Sequence, residues 1–176
     1  MANPVVMSKE VAIQLAKFTK EQNETAGILF YGTLPSPNTR EPTDYVAAIY
    51  GIQKGPPHKV TIPESIRTVG EWVTKIGRQA DYIEFHTHSQ GTRQLGEFWM
   101  HNFSAQDVEA IRHMTTVVNS NYRHLLVTPE KFLLVSYNSG TNNLVPQEFT
   151  VKTTPQHINL EETFRQLITV AEQRAR

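Results

Sequence analysis

The sequence predicts an α/β fold, a mixed β-sheet flanked by helices, from three observations. Short runs rich in β-branched and aromatic residues, such as Ile28-Leu29-Phe30-Tyr31 and Asp81-Tyr82-Ile83, are bounded by Gly, Pro and Asn, as strands are. Between them lie segments of helical period, with Val11, Leu15 and Phe18 in one and Ile62, Ile66, Val69, Val73 and Ile76 in another. Finally, 176 residues with 39% apolar content and no long linker fit one domain, spanning 1–176, large enough to bury its own core.

In chain order, Val5 to Met7 reads as a short strand and Ser8 as the cap of a helix running to about Gln22. Glu24 to Tyr31 reads as a buried strand, and Thr33 to Thr43, with Pro35, Pro37, Asn38 and Pro42, as a surface loop. Tyr45 to Ile52 returns as a strand that Gly55-Pro56-Pro57 breaks. Pro63 suits the first turn of the second helix, which Gly77 ends. The Asp81 strand follows, and Ser104 to about Val118 predicts a helix stopped by Asn119, Ser120 and Asn121. Arg123 to Thr128, Lys131 to Tyr137 and Gln147 to Lys152 complete the strands. The last helix is expected over about 160–173, with Asn159 and Glu162 in capping-box positions and Leu160, Phe164, Leu167, Ile168 and Ala171 on its apolar face. That face would pack on the sheet or on a second subunit, which makes a homo-oligomer one expectation.

Composition excludes several classes of function. The chain has no cysteine, so a thiol nucleophile, a disulfide framework and Cys-ligated metal are ruled out. Seventeen basic against seventeen acidic residues, without a Lys/Arg block, leave no electrostatic footprint for nucleic acid. No signal-like leader and no apolar run long enough to span a bilayer are present, so the expectation is a cytoplasmic protein without membrane attachment.

The chemistry concentrates in Phe85-His86-Thr87-His88. Side chains two apart on a strand share a face, so His86 and His88 present both imidazoles to one point. Asp107 is the natural third ligand. Ser104 and Asp107 fit the N-cap and third position of a helix, where a carboxylate is held in a fixed direction. Two imidazoles and a carboxylate leave zinc an open fourth position, the arrangement of a catalytic site. Solvated or core histidines and a purely structural cap would account for the same residues without a metal.

Upstream, Glu24-Thr25-Ala26-Gly27 sets a carboxylate where a strand begins. The order Glu24, then His86-Thr87-His88, then Ser104-x-x-Asp107 resembles the JAMM (MPN-domain) metallopeptidase family, over Glu24 to about Asn119. The resemblance implies the MPN or cytidine-deaminase-like variant of the α/β architecture. It implies zinc on His86, His88 and Asp107, Glu24 as general base for the zinc-bound water, and Ser104 as the oxyanion donor. It further implies an isopeptidase, deubiquitinase-like, that cleaves after the C-terminal glycine of ubiquitin or a ubiquitin-like modifier, whose conjugates would be its partners. Three positions depart from the family pattern. Ser89 stands where it has Pro, Gly32 comes one residue late, and an insertion at about 89–103 lengthens the spacing to Ser104 by about eight residues.

Other readings stand beside this one. Glu84 shares the face of the two histidines and rivals Glu24 as base; otherwise it is a hydrogen-bond acceptor behind the ligands or a surface charge. A non-catalytic MPN scaffold would be expected to lose some of these groups. A PHP-type phosphoesterase carries a similar His-Thr-His-Ser string, but at the first strand of a barrel, whereas half of this chain precedes it. His58, His113, His124 and His157 are expected in solvent, and His101, in the insertion and close in sequence to Asp107, is a minor candidate to support a ligand from behind. In the insertion, Phe98, Trp99, Met100 and Phe103 would either pack on the core or a second subunit, or form a lid with Phe98 and Trp99 as anchors and Arg93 as a polar partner.

Overall fold

A computed structural model of the chain describes residues 2–56, 60–93, 96, 101–153 and 159–176. The expectations for His58, Phe98, Trp99, Met100, His157 and the Arg93 side chain lie outside the described residues. No helix among those residues is long and apolar enough to cross a membrane.

Eight strands form one mixed sheet: β1 (Val5–Met7), β2 (Thr25–Pro35), β3 (Pro42–Lys54), β4 (Ala80–Thr87), β5 (Arg123–Val127), β6 (Phe132–Asn138), β7 (Asn143–Pro146) and β8 (Phe149–Val151). Their order is β7-β6-β5-β4-β2-β3-β1-β8. β4 pairs antiparallel with β2 and parallel with β5. The sheet curls until its ends approach, because the Gln147 N–H donates to the Leu134 carbonyl at 2.8 Å and the rings of Phe132 and Phe149 stand 5.6 Å apart. Among the described residues the helices are α1 (Lys9–Phe18), α2 (Glu64–Ile76), the single turn α3 (Gln90–Arg93), α4 (Ala105–His113) and α5 (Glu161–Arg174).

Alternation along the strands feeds two cores. Leu29, Tyr31, Ile83, Phe85, Leu125 and Val127 face the hollow of the curl, which Ala12 and Leu15 of α1 fill. Ala26, Ile28 and Phe30 face the other way, against Val69 and Val73 of α2 and Phe164 and Ala171 of α5. Ser8 caps α1 as expected, accepting from the Val11 N–H at 3.2 Å. Gly51 meets a positional demand: its φ is +66° and an added Cβ would lie 2.3 Å from Ile66.

Five expectations need correction. α1 stops at Phe18, not near Gln22: the Thr19 hydroxyl donates to the Ala16 carbonyl, and the Lys20 and Glu21 N–H groups turn to the carbonyls three residues back. The loop expected over 33–43 shrinks to 36–41, since Pro35 and Pro42 pair at the open end of the β2/β3 ladder, where a missing N–H costs little. β7, read as loop, pairs with β6, and only Phe149–Val151 of the strand expected over 147–152 joins β1. Pro63 is the N-cap of α2 and not its first turn. The expected capping box of the last helix is absent: Leu160 is the N-cap and no side chain caps it, so packing alone anchors that helix.

The apolar face of α5 lies on its own sheet, as one of the two expectations had it. Phe164 is 1% exposed and stacks on Phe30 at 5.9 Å. Phe164→Ala should therefore cost about 3–5 kcal/mol by urea unfolding. A midpoint unchanged from the parent would show that α5 is not part of the cooperative core.

Candidate metal centre

The site forms where β2 begins, β4 ends and α4 begins. His86 and His88 follow Glu84 on one face of β4 and its extension, and the His88 N–H continues the ladder by donating to Val127 at 2.9 Å. The parallel register sets His124 of β5 opposite Glu84, while the antiparallel one sets Ala26 opposite His86. Carried two residues further, the antiparallel register brings Glu24 beside His88. The Thr87 hydroxyl accepts from the Thr25 N–H at 3.0 Å and pins that corner.

Asp107 arrives from α4 with its direction set by a complete capping box. The Ser104 hydroxyl accepts from the Asp107 N–H at 3.1 Å, and the Asp107 carboxylate accepts from the Ser104 N–H at 2.8 Å. α4 continues into a π-helical turn at Met114–Val118 that ends at Asn119, so the helix covers the expected span.

His86, His88 and Asp107 come together: each offers a ligand atom, all within 4.8 Å of one another. The two Nε2 atoms are 3.4 Å apart, and Asp107 oxygens lie 3.6 Å from His86 Nε2 and 3.8 Å from His88 Nε2. Donors of a tetrahedral zinc stand about 3.3 Å apart, given bonds of about 2.0–2.1 Å. The carboxylate separations are too long for hydrogen bonds and near those of ligands around a common ion. The cluster fits a divalent metal. Burial pushes the Asp107 carboxyl up, but the two imidazoles and the Ser104 N–H outweigh it and hold the group well below the usual carboxylate range. It is therefore ionised, as a ligand must be.

Glu24 is 6% exposed and accepts from the Thr92 hydroxyl at 2.9 Å. Burial pushes its carboxyl up, and His86, Thr92 and His88 pull it back without cancelling the rise. Thr92 belongs to α3, at the start of the expected insertion, and α3 is docked on the chain before β2. The Ser89 hydroxyl donates to the Gln22 carbonyl at 2.9 Å, and the Gln90 N–H to Glu21 at 2.9 Å. Ser89, which departs from the family pattern, thus helps to hold Glu24.

Glu24, the three candidate ligands and Ser104 line one cavity of about 350 Å³, whose apolar wall includes Ile62, Ile111 and Met114. Glu84 is 1% exposed and is no surface charge; it pairs with Arg67 and accepts from the Tyr122 hydroxyl. His124, expected in solvent, is instead partly buried, with Nε2 2.7 Å from His86 Nδ1. Burial, with His86 beside it, holds His124 well below the usual imidazole range, so its ring is neutral. His113 is exposed as expected, and His101 lies 3.9 Å from Glu130. Phe103 packs with Ile111 and Met114, its ring 6.2 Å from that of His86. Arg67, Thr92, Tyr122 and His124 were not anticipated. The one signal in the sequence was the polar run Tyr122-Arg123-His124 leading into an otherwise apolar strand.

Metal analysis of the purified protein should find about one divalent ion per chain, with Asp107→Ala holding much less. Equal metal content in both proteins would remove Asp107 from the centre.

The fold is similar to that of protein DSY2949 from Desulfitobacterium hafniense, whose solution structure aligns with a TM-score of 0.54 at 16% identity, covering 88% of this chain and 97% of that one. At this identity the likeness speaks for the fold alone. No family model and no curated protein matches the chain.

Proposed function

We propose that the protein is a zinc-dependent peptidase of the JAMM (MPN-domain) type, which cleaves an isopeptide or peptide bond after the C-terminal glycine of a ubiquitin-like modifier. One observation carries this reading: a buried carboxylate, Glu24, opens into the same cavity as the His86–His88–Asp107 trio and the Ser104 hydroxyl. The residues match the family's motif in order and kind. Zinc in the trio would lower the pKa of a water toward about 7 and polarise the scissile carbonyl. Glu24, raised by burial toward the working pH, takes a proton and returns it to the leaving amine. The Thr92 hydroxyl holds one oxygen of the Glu24 carboxylate, and the side chain lines the cavity. The Ser104 hydroxyl accepts from the Asp107 N–H, which leaves its hydrogen to donate to the carbonyl oxygen as charge develops there.

Glu84 is the weaker candidate for base because both of its oxygens are engaged by Arg67 and Tyr122. The apolar wall of Ile62, Ile111 and Met114 suits a narrow tail of small residues, whereas the folded modifier would stay outside a cavity of about 350 Å³. A reducing, cytoplasmic setting belongs to the same proposal and is supported by the absence of cysteine.

The test is cleavage of diubiquitin and of a linear ubiquitin-like fusion, set beside a generic phosphoester. Hydrolysis of the phosphoester alone would favour a phosphoesterase, and no turnover of any substrate by zinc-loaded protein would favour a scaffold. Glu24→Gln should retain zinc and lose about two orders of magnitude or more in turnover. Comparable loss in Glu84→Gln with Glu24→Gln unaffected would move the base to Glu84. Ser104→Gly separates capping from chemistry, since glycine still caps a helix to within a few tenths of a kcal/mol. It should leave the melting temperature nearly unchanged while kcat falls by about 10²-fold or more.

A further inference from the structure

Along one wall of the cavity a line of polar side chains runs from the helix layer to the back of His86. Arg67 of α2 donates through Nε and its terminal nitrogen to the Glu84 carboxylate. The Tyr122 hydroxyl bonds the same carboxylate and lies 2.8 Å from His124 Nδ1. His124 Nε2 lies 2.7 Å from His86 Nδ1, and His86 Nε2 faces His88 and Asp107. Glu84 is 1% and Tyr122 7% exposed, so water has little access to these groups.

Counting hydrogens gives the column a single direction. Glu84, paired with a guanidinium, has no hydrogen to donate, so the one Tyr122 hydroxyl hydrogen goes to it. The Tyr122 oxygen then accepts, and the hydrogen between it and His124 sits on Nδ1. A neutral His124 with Nδ1 protonated has its lone pair on Nε2, which accepts from His86 Nδ1–H. His86 is left with its own lone pair on Nε2, aimed at the point the other two donors share. With Glu84 ionised and both rings neutral, no other placement satisfies all four contacts at once.

We infer that Tyr122 and His124 are positioning residues of the metal centre, forming with Glu84 and Arg67 a one-way hydrogen-bond column that holds His86 in the tautomer ready to bind a metal through Nε2. The inference rests on the reading of His86, His88 and Asp107 as a metal site. A ligating imidazole whose other nitrogen donates a hydrogen bond is fixed in orientation and is a stronger electron donor. The column passes from α2 through β4 and β5, so it also ties the helix layer to the strand that carries both histidines. None of its members needs to touch a substrate.

The test uses Tyr122→Phe, which removes one hydroxyl and keeps the ring, and reads two quantities. Zinc affinity, measured by competition with a chromophoric chelator, should weaken about 10- to 100-fold. Nitrogen-15 spectra of the metal-free histidine rings at pH 8 should show His86 and His124 of the parent protonated on Nδ1, and His124 of the variant redistributed between tautomers. A parent spectrum with His86 protonated on Nε2 overturns the inference whether or not the variant folds. Zinc uptake by the parent with unchanged affinity and tautomers in the variant overturns the column alone. Failure of the parent to take up zinc overturns the metal centre itself and removes the column's purpose with it.

Discussion

Strand β4 has two faces in two different environments, and the rest of the molecule is arranged to satisfy both. Ile83 and Phe85 point into the curled sheet, where α1 completes an apolar core. Glu84 and His86 point the other way with His88, and four ionisable side chains from elsewhere meet them there: Glu24, Arg67, Asp107 and His124. A one-residue slip in the pairing of β4 would exchange the two sets, putting carboxylate and imidazole into the core. Register is therefore specified twice over, by the apolar face and by the polar one.

Gathering charges at partly buried positions is costly unless each is paired, and the structure pairs them locally. Arg67 sits against Glu84, Thr92 against Glu24, and the Ser104 N–H against Asp107. A second buried pair, Arg123 with Asp44 at 2.7 Å, lies away from the cavity and joins β5 to β3 across the curl. The two pairs differ in setting. Arg123 and Asp44 are closed off by Asn3 and Tyr31, whereas the Arg67 and Glu84 pair borders the cavity and leads to a candidate ligand. Cost of this kind is retained where groups must be held in place, which is how a preorganised site works.

The candidate ligands were legible because their spacing is local. His86 and His88 are two apart on a strand, and Ser104 and Asp107 three apart at a helix start, so one rule of backbone geometry places each pair. Helix and strand positions were legible for the same reason wherever the apolar period was long. What failed was short or depended on distant partners. β7 is four residues of mixed polarity that become a strand only because β6 offers an edge. The segment after α1 is tied down from far along the chain, its Glu21 and Gln22 carbonyls accepting from Gln90 and Ser89. His124 lacks a motif: its neighbours in sequence are polar on one side and apolar on the other, and only the parallel register with β4 sets it behind His86.

The sequence by itself determined the α/β class, the His86, His88 and Asp107 trio with its capping serine, and the candidacy of Glu24 and Glu84 as acid–base groups. The fold class, the His86–His88 pair with Glu84 on its face, and the Ser104–Asp107 pair follow from periodicity and short-range spacing, which need no knowledge of what lies across the sheet, whereas the role of Glu24 rests on the resemblance to the JAMM pattern. Tertiary structure decided that Arg67 and Tyr122 take up Glu84, that Thr92 holds Glu24, and that His124 stands behind His86. The physical reason is that hydrogen-bond partnership between strands depends on register and on which helix covers which face. Both are set by the packing of residues far apart in the chain, and no local pattern encodes them.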